Sequence, residues 1–120
     1  MADPICVLVV EDEPLVRIDI ADYLSDQGFD VIEAANADEA ITLLETVPRI
    51  RLLFTDVDMP GSMDGLKLAA AVARRWPPVR IIVTSGHRIV DIADIPDGSV
   101  FFSKPYRQDA ITASIAELLL

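Results

Sequence analysis

The chain has a single cysteine, no excess of positive charge and no long hydrophobic run, and each of these absences excludes a class of protein. Cys6 is the only cysteine among 120 residues, so no internal disulfide is possible. Its place in the apolar run ICVLVV predicts a buried thiol that packs as a small hydrophobe. A reducing compartment is compatible with this composition.

The charge balance disfavours two kinds of partner. The 10 basic and 20 acidic residues give a net charge of −10, which repels nucleic acid and anionic membrane surfaces and favours cations. The apolar runs are too short to span a membrane, and no basic flank leads into a secretory core. We therefore expect a cytoplasmic protein that binds neither nucleic acid nor membrane.

The hydrophobic content is high enough for a real core. Apolar residues make up 52% of the chain and the mean hydropathy is +0.38, values that argue against disorder. A chain of 120 residues has room for one domain, so we expect residues 1–120 to form a single domain with one site.

Short apolar runs alternate with segments of helical periodicity. Residues 5–10, 29–34, 51–56, 80–85 and 100–103 are predicted to be strands. Helices are predicted over 15–27, from Asn36 to Pro48, from Leu66 to about Trp76, and along a final stripe of Ile111, Ile115, Leu118 and Leu119. Residues 88–95 form the weakest pattern, and we expect a brief or mobile helix there.

This alternation predicts an α/β fold with five βα units. A parallel sheet covered on both faces by right-handed crossovers is the expected arrangement. In the flavodoxin-like strand order 2-1-3-4-5, the chain reverses direction between the first and third strands. A crevice then opens at the carboxyl ends of those strands.

Acidic residues follow the two strands that flank this crevice. Glu11 and Asp12 come after the first strand, and Asp56 ends the third. Aspartate is also a common turn residue, but three carboxylates from two distant segments would meet where the topology leaves an opening. Two carboxylates about 5 Å apart repel by about 3 kcal/mol at an effective dielectric near 20. A divalent cation would relieve this repulsion, and an all-oxygen ligand set favours Mg²⁺ or Mn²⁺ over Zn²⁺.

Such a cluster is suited to phosphoryl chemistry. A metal that keeps open positions commonly meets phosphate, and one carboxylate can attack to form an aspartyl phosphate. Lys104 follows the fifth strand and could place a charge on a phosphoryl oxygen, while Thr84 or Ser85 could offer a hydroxyl. A solvated lysine before a turn, and a polar strand end, are the plainer interpretations of these residues.

Four motifs in order resemble one family. They are VVEDE at 9–13, TDVDMPGSMDG at 55–65, TSG at 84–86 and SKP at 103–105. Together they resemble a response-regulator receiver domain of two-component signalling over the whole chain. The resemblance implies Asp56 as phosphoacceptor, Asp12 as a direct metal ligand, and Glu11 as a metal-site acid acting through water. It also implies the carbonyl of Asp58 as a ligand and Lys104 as the phosphate-binding lysine.

The chain departs from the family pattern in three places. Glu11 stands where the family more often has Asp, and the loop MPGSMDG is one residue longer than the usual type. Both Thr84 and Ser85 can be aligned with the switch hydroxyl. Matching Gly86 to the small residue of the family favours Ser85, which we prefer.

The resemblance further implies a two-state switch that acts through partners. The phosphoryl donor would be a histidine kinase or a histidine phosphotransfer protein. Phosphorylated Asp56 would draw in the hydroxyl at 84 or 85, Phe101 would turn inward, and the surface formed by residues 88–120 would bind a downstream protein.

Three other interpretations remain open. Asp56-Val57-Asp58 matches the DxD element of haloacid-dehalogenase-type phosphatases, although that family carries it after the first strand. A pseudo-receiver would bind partners without phosphorylation. The chain is also compatible with an input domain of a larger regulator or hybrid kinase. The cognate kinase, the output, the oligomeric state and the phosphoryl lifetime are not indicated by the sequence.

Overall fold

Five parallel strands form one sheet whose order is β2-β1-β3-β4-β5. The computed structural model describes residues 3–61, 63–86 and 90–119. The strands are β1 (Cys6–Val10), β2 (Asp30–Ala34), β3 (Ile50–Asp56), β4 (Arg80–Ser85) and β5 (Val100–Ser103). The helices are α1 (Pro14–Asp26), α2 (Ala37–Thr46), α3 (Gly65–Arg75) and α4 (Gln108–Leu119). The predicted fold class and strand order are confirmed.

The connection between β4 and β5 differs from a regular βα unit. Its described part, residue 86 and residues 90–99, contains one 3-10 turn, Ile92–Asp94, in place of an α-helix. The side chain of Asp91 caps this turn by accepting a hydrogen bond from the Ala93 N–H at 3.0 Å. Pro96 follows closely and leaves no room for a second turn. The expected brief helix is thus a single turn, and residues 88 and 89 of the predicted segment lie outside the described residues.

Local signals explain where the helices begin. Asn36 caps α2 by accepting a hydrogen bond from the Glu39 N–H at 2.9 Å, and Glu39 accepts one from the Ala35 N–H at 3.2 Å. This pair of hydrogen bonds is a variant of the capping box and explains why the predicted helix begins after Asn36. Pro14 occupies the first turn of α1, where its missing N–H costs nothing. Asp64 caps α3 through the Lys67 N–H at 3.0 Å.

The sheet separates two hydrophobic clusters. One lies under α2 and α3 and includes Leu8, Leu53, Leu68 and Val72. The other lies under α1 and α4 and includes Val9, Phe54, Ile20, Ile111 and Ile115. Because the sheet is covered on both faces, its central strands are buried except near their amino ends, at Arg51 and Arg80, as the continuous apolar runs predict. Cys6 is a buried free thiol, as expected. No helix in the described ranges has the length and apolar character needed to cross a bilayer.

Replacing Leu53 by Ala tests the dependence of stability on the central strand. Leu53 is fully buried, so its truncation should lower the free energy of unfolding by about 2–5 kcal/mol, the sum of lost transfer energy and a cavity. Leu15→Ala is the matched control, because Leu15 is 83% exposed and its loss should change stability by less than about 0.5 kcal/mol. Urea denaturation measures both, and equal losses would contradict this description of the core.

Candidate functional site

Three carboxylates meet at the carboxyl ends of β1 and β3. These strands are neighbours, with Val10 opposite Thr55, so the acids that follow them share one edge of the sheet. Glu11, Asp12 and Asp56 each offer an oxygen, and these oxygens all lie within 4.8 Å of one another. Glu11 and Asp56 are only 3% and 4% exposed. The structure thus brings together the acids that the sequence placed at the switch point.

Lys104 supplies the positive charge that this cluster needs. Its ammonium Nζ lies 2.6 Å from Glu11 Oε1 and 3.2 Å from Asp56 Oδ2. Lys104 follows β5, and its backbone N–H donates to the Ser85 carbonyl at 2.9 Å, which holds the two strand ends together. The lysine is therefore a half-buried ion-pair partner of the acids, and the alternative of a fully solvated lysine before a turn does not describe it.

Burial and charge act in opposite directions on this ion pair. Burial raises the pKa of Glu11 to about 7, against the opposing effect of the hydrogen bond from Lys104. Burial alone would lower the pKa of Lys104, but its hydrogen bond to Glu11 and the charges of Asp56 and Glu11 raise it. The ammonium therefore keeps its proton, and the Glu11 carboxylate depends on a nearby cation.

The donor set fits a hard divalent cation. All three side chains bind through oxygen, which suits Mg²⁺ or Mn²⁺. Two of them are buried, and the single ammonium of Lys104 offsets only one of the three negative charges, so the pocket favours a further positive charge. Glu11, Asp12 and Asp56 are the residues that could hold such an ion, with the carbonyl of Asp58 as a fourth ligand suggested by the family resemblance.

The two candidate hydroxyls lie on opposite faces of the sheet. Side chains alternate along a strand, so Thr84 continues the face of Ile82, which packs under α1 and α4. Ser85 continues the face of Val83, in the cluster under α2 and α3. Thr84 Oγ1 is buried and has no hydrogen-bond partner among the described residues. Ser85 Oγ donates to Asp58 Oδ2 at 2.8 Å.

Phe101 shares a face with Ser85. It lies opposite Val83 in the β4–β5 register and packs, half-buried, against the cluster that contains Val83. The family resemblance implied Phe101 as a switch aromatic, and the structure places it two positions from Ser85 along the paired strands.

The site also depends on a residue whose role the sequence analysis missed. Gly65 begins α3, and its N–H donates to the Val57 carbonyl at 3.1 Å. A Cβ at this position would lie 1.9 Å from the Asp56 carbonyl oxygen. In the sequence Gly65 is only the last residue of the motif TDVDMPGSMDG, whereas in the structure it allows α3 to approach the backbone of the candidate phosphoacceptor.

A cavity of about 690 Å³ adjoins the site. It lies between α1 and the start of α4, and Lys104 forms part of its wall with Val16, Tyr106 and Gln108. Tyr106 packs edge-on against Phe54 with ring centroids 5.7 Å apart, and burial raises its pKa to about 12. The cavity gives a solvent route to the lysine end of the site.

The fold and the site define an open α/β protein with an acidic crevice at the switch point of its sheet. The sequence model of the response regulator receiver domain matches residues 7–116, so the chain belongs to the receiver-domain family of response regulators. This family consists of signalling switches in two-component systems, in contrast to classical enzymes.

Relatives and solved structures agree with this assignment. The nitrogen assimilation regulatory protein NtrX of Azorhizobium caulinodans is 33% identical over 109 residues, which cover 88% of this chain and 24% of that protein. A response regulator receiver protein from Pseudomonas putida has 31% identity and a TM-score of 0.86, with 98% and 99% of the two chains covered. One from Sinorhizobium medicae has 26% identity and a TM-score of 0.88, with 98% and 95% covered. The chain spans about a quarter of the length of the NtrX-like relatives.

Removing Lys104 should make the stability of the protein depend on a divalent cation. Lys104→Ala leaves Glu11 and Asp56 buried without their counter-charge, which should cost about 3 kcal/mol in metal-free buffer. Saturating Mg²⁺ should recover much of this loss by binding only the folded state. Urea denaturation with and without Mg²⁺ measures the effect. Lys67→Ala, which removes an exposed lysine of α3, is the control, and an equal response to Mg²⁺ in both variants would contradict the prediction.

Adding a methyl group at position 65 should disturb both the fold and the site. Gly65→Ala places a carbon against the Asp56 carbonyl, so α3 or the strand end must move, and we expect a loss of about 1–3 kcal/mol in unfolding free energy. Gly86→Ala is the control, because its Cβ would contact Lys104 Cβ at an ordinary 3.4 Å. Thermal or urea unfolding compares the two, and a Gly65→Ala variant as stable as Gly86→Ala would count against the close approach.

Proposed function

We propose that this chain, residues 1–120, is a single receiver domain in which Asp56 accepts a phosphoryl group. The observation that carries the proposal is the meeting of Glu11, Asp12 and Asp56 within 4.8 Å, with the Lys104 ammonium bonded to two of them. The donor would be a phosphohistidine of a histidine kinase or a histidine phosphotransfer protein, as the family assignment supports.

The chemistry follows from the charges around Asp56. One carboxylate oxygen of Asp56 attacks phosphorus, the bond from phosphorus to the histidine nitrogen breaks, and an aspartyl phosphate forms. A bound Mg²⁺ would offset the charge that develops on the phosphoryl oxygens. Lys104 already lies 3.2 Å from Asp56 Oδ2, so it can transfer its hydrogen bond from the carboxylate to a phosphoryl oxygen.

Ser85 is the better candidate for the switch hydroxyl. Ser85 lies on the same sheet face as Phe101, so a movement of Ser85 can change the packing of the aromatic ring. Thr84 lies on the opposite face. We propose that phosphorylation recruits Ser85, that Phe101 turns inward behind it, and that the surface from β5 to α4 then binds a downstream protein. The short 3-10 connection before β5 is a suitable segment for this rearrangement, because it makes few regular backbone bonds.

The phosphatase interpretation of Asp56-Val57-Asp58 is less well supported. In that class the second aspartate acts as general acid and base, but here the Asp58 carboxylate accepts a hydrogen bond from Ser85. The motif also follows the third strand of the sheet, and the chain belongs to the receiver family.

Acetyl phosphate tests the proposed phosphoacceptor directly. Incubation with this donor and Mg²⁺ should add the mass of one phosphoryl group, and Asp56→Asn should abolish the addition because the amide is not a nucleophile. Intact mass spectrometry measures both. Asp22→Asn, which neutralises an exposed acid on α1, is the control and should be labelled like the wild type. Continued labelling of Asp56→Asn, or labelling that does not depend on Mg²⁺, would refute the assignment.

A further inference from the structure

The hydroxyl of Ser85 is engaged by a second acid of the site. Ser85 Oγ donates to Asp58 Oδ2 at 2.8 Å, a short bond to an ionisable carboxyl group. A serine hydroxyl carries one proton, and an ionised carboxylate only accepts. While Ser85 donates to Asp58, it cannot donate the same proton to a phosphoryl oxygen on Asp56.

The backbone holds both partners in this arrangement. The Asp58 N–H donates to Asp56 Oδ1 at 3.2 Å, and the chain turns back after Asp56 because the Val57 carbonyl accepts from both the Met59 and Gly65 N–H groups at 3.1 Å. On the other strand, the Ser85 carbonyl accepts from the Lys104 N–H at 2.9 Å. Asp58 is therefore positioned by the phosphoacceptor itself, and Ser85 by the lysine strand.

We propose that the Asp58 carboxylate is a positioning residue that latches Ser85 in the unphosphorylated state. The latch holds the hydroxyl that phosphorylated Asp56 must recruit, so it opposes the active conformation. Phosphoryl binding is weakened by the free energy needed to break the Ser85–Asp58 hydrogen bond. This inference rests on the proposed function, because it assumes that Asp56 carries the phosphoryl group. It assigns the Asp58 side chain a role separate from that of its backbone carbonyl at the metal.

The latch predicts a definite coupling between two side chains. A hydrogen bond to a charged group contributes more than one between neutral groups, so release of Ser85 should tighten binding of a phosphoryl analogue by roughly tenfold. A carboxylate near a phosphoryl group also repels it through charge alone. The two effects differ in one respect: only the latch requires the Ser85 hydroxyl.

A double-mutant cycle with beryllium fluoride as the phosphoryl analogue separates these effects. Isothermal titration calorimetry in excess Mg²⁺ would measure the dissociation constants of the wild type, Asp58→Ala, Ser85→Ala and the double variant. Asp58→Asn, which keeps the shape but weakens the bond, is a second variant in case Asp58→Ala does not fold. Asp19→Ala is the matched charge control, since Asp19 lies on the rim of the cavity beside Lys104 and bonds Gln108 at 3.1 Å.

The expected result is that Asp58→Ala tightens beryllium fluoride binding by roughly tenfold, that Asp58→Asn has a smaller effect, and that most of the gain disappears in the Ser85→Ala background. Asp19→Ala should change the affinity little. An equal gain with and without Ser85 would overturn the latch in favour of simple charge repulsion, and so would the absence of any gain. Failure of the wild type and all variants to bind the analogue would instead refute the proposed function.

Discussion

The site is organised by the repulsion between carboxylates that are held out of water. Glu11 and Asp56 are almost fully buried and close together, an arrangement that is unfavourable without a positive charge between them. Lys104 provides that charge from a third strand end. The carboxyl ends of β1, β3 and β5, which are distant in the chain, must therefore lie at one edge of the sheet before this charge balance is possible. The same requirement makes the pocket suited to a second cation and to a reaction that redistributes negative charge.

Close packing of backbone connects this electrostatic site to the fold. The turn after β3 is held by hydrogen bonds from the Met59 and Gly65 N–H groups to the Val57 carbonyl. Helix α3 begins so close to the carbonyl of Asp56 that there is no space for a side chain at position 65. Asp56 is thus held between the strand that carries it and the helix that follows. Under the proposed function, a rearrangement at Asp56 would be transmitted through these contacts to Ser85, since closely packed interfaces switch between discrete arrangements and do not deform continuously.

Much of this architecture could be predicted because its signals are local. Apolar runs and helical periodicity each act within a few residues, and the structure confirms the strands and the four α-helices that they predict. The segment before β5 was harder, because its apolar positions are few and Pro96 lies close behind them, so the described part forms only a 3-10 turn. Gly65 could not be distinguished from a turn glycine, since the carbonyl that it approaches belongs to a different element.

The sequence by itself determined the order of strands and helices and the position of acids and a lysine at strand ends, since these depend on periodicity, propensity and chain direction. Only the tertiary structure decided which side chains meet. That Lys104 bonds Glu11 as well as Asp56, and that Ser85 bonds Asp58 while Thr84 faces the other cluster, depends on the packing of segments tens of residues apart. Hydrogen bonds require placement within a few tenths of an ångström, and only the packed sheet and its helices provide that precision.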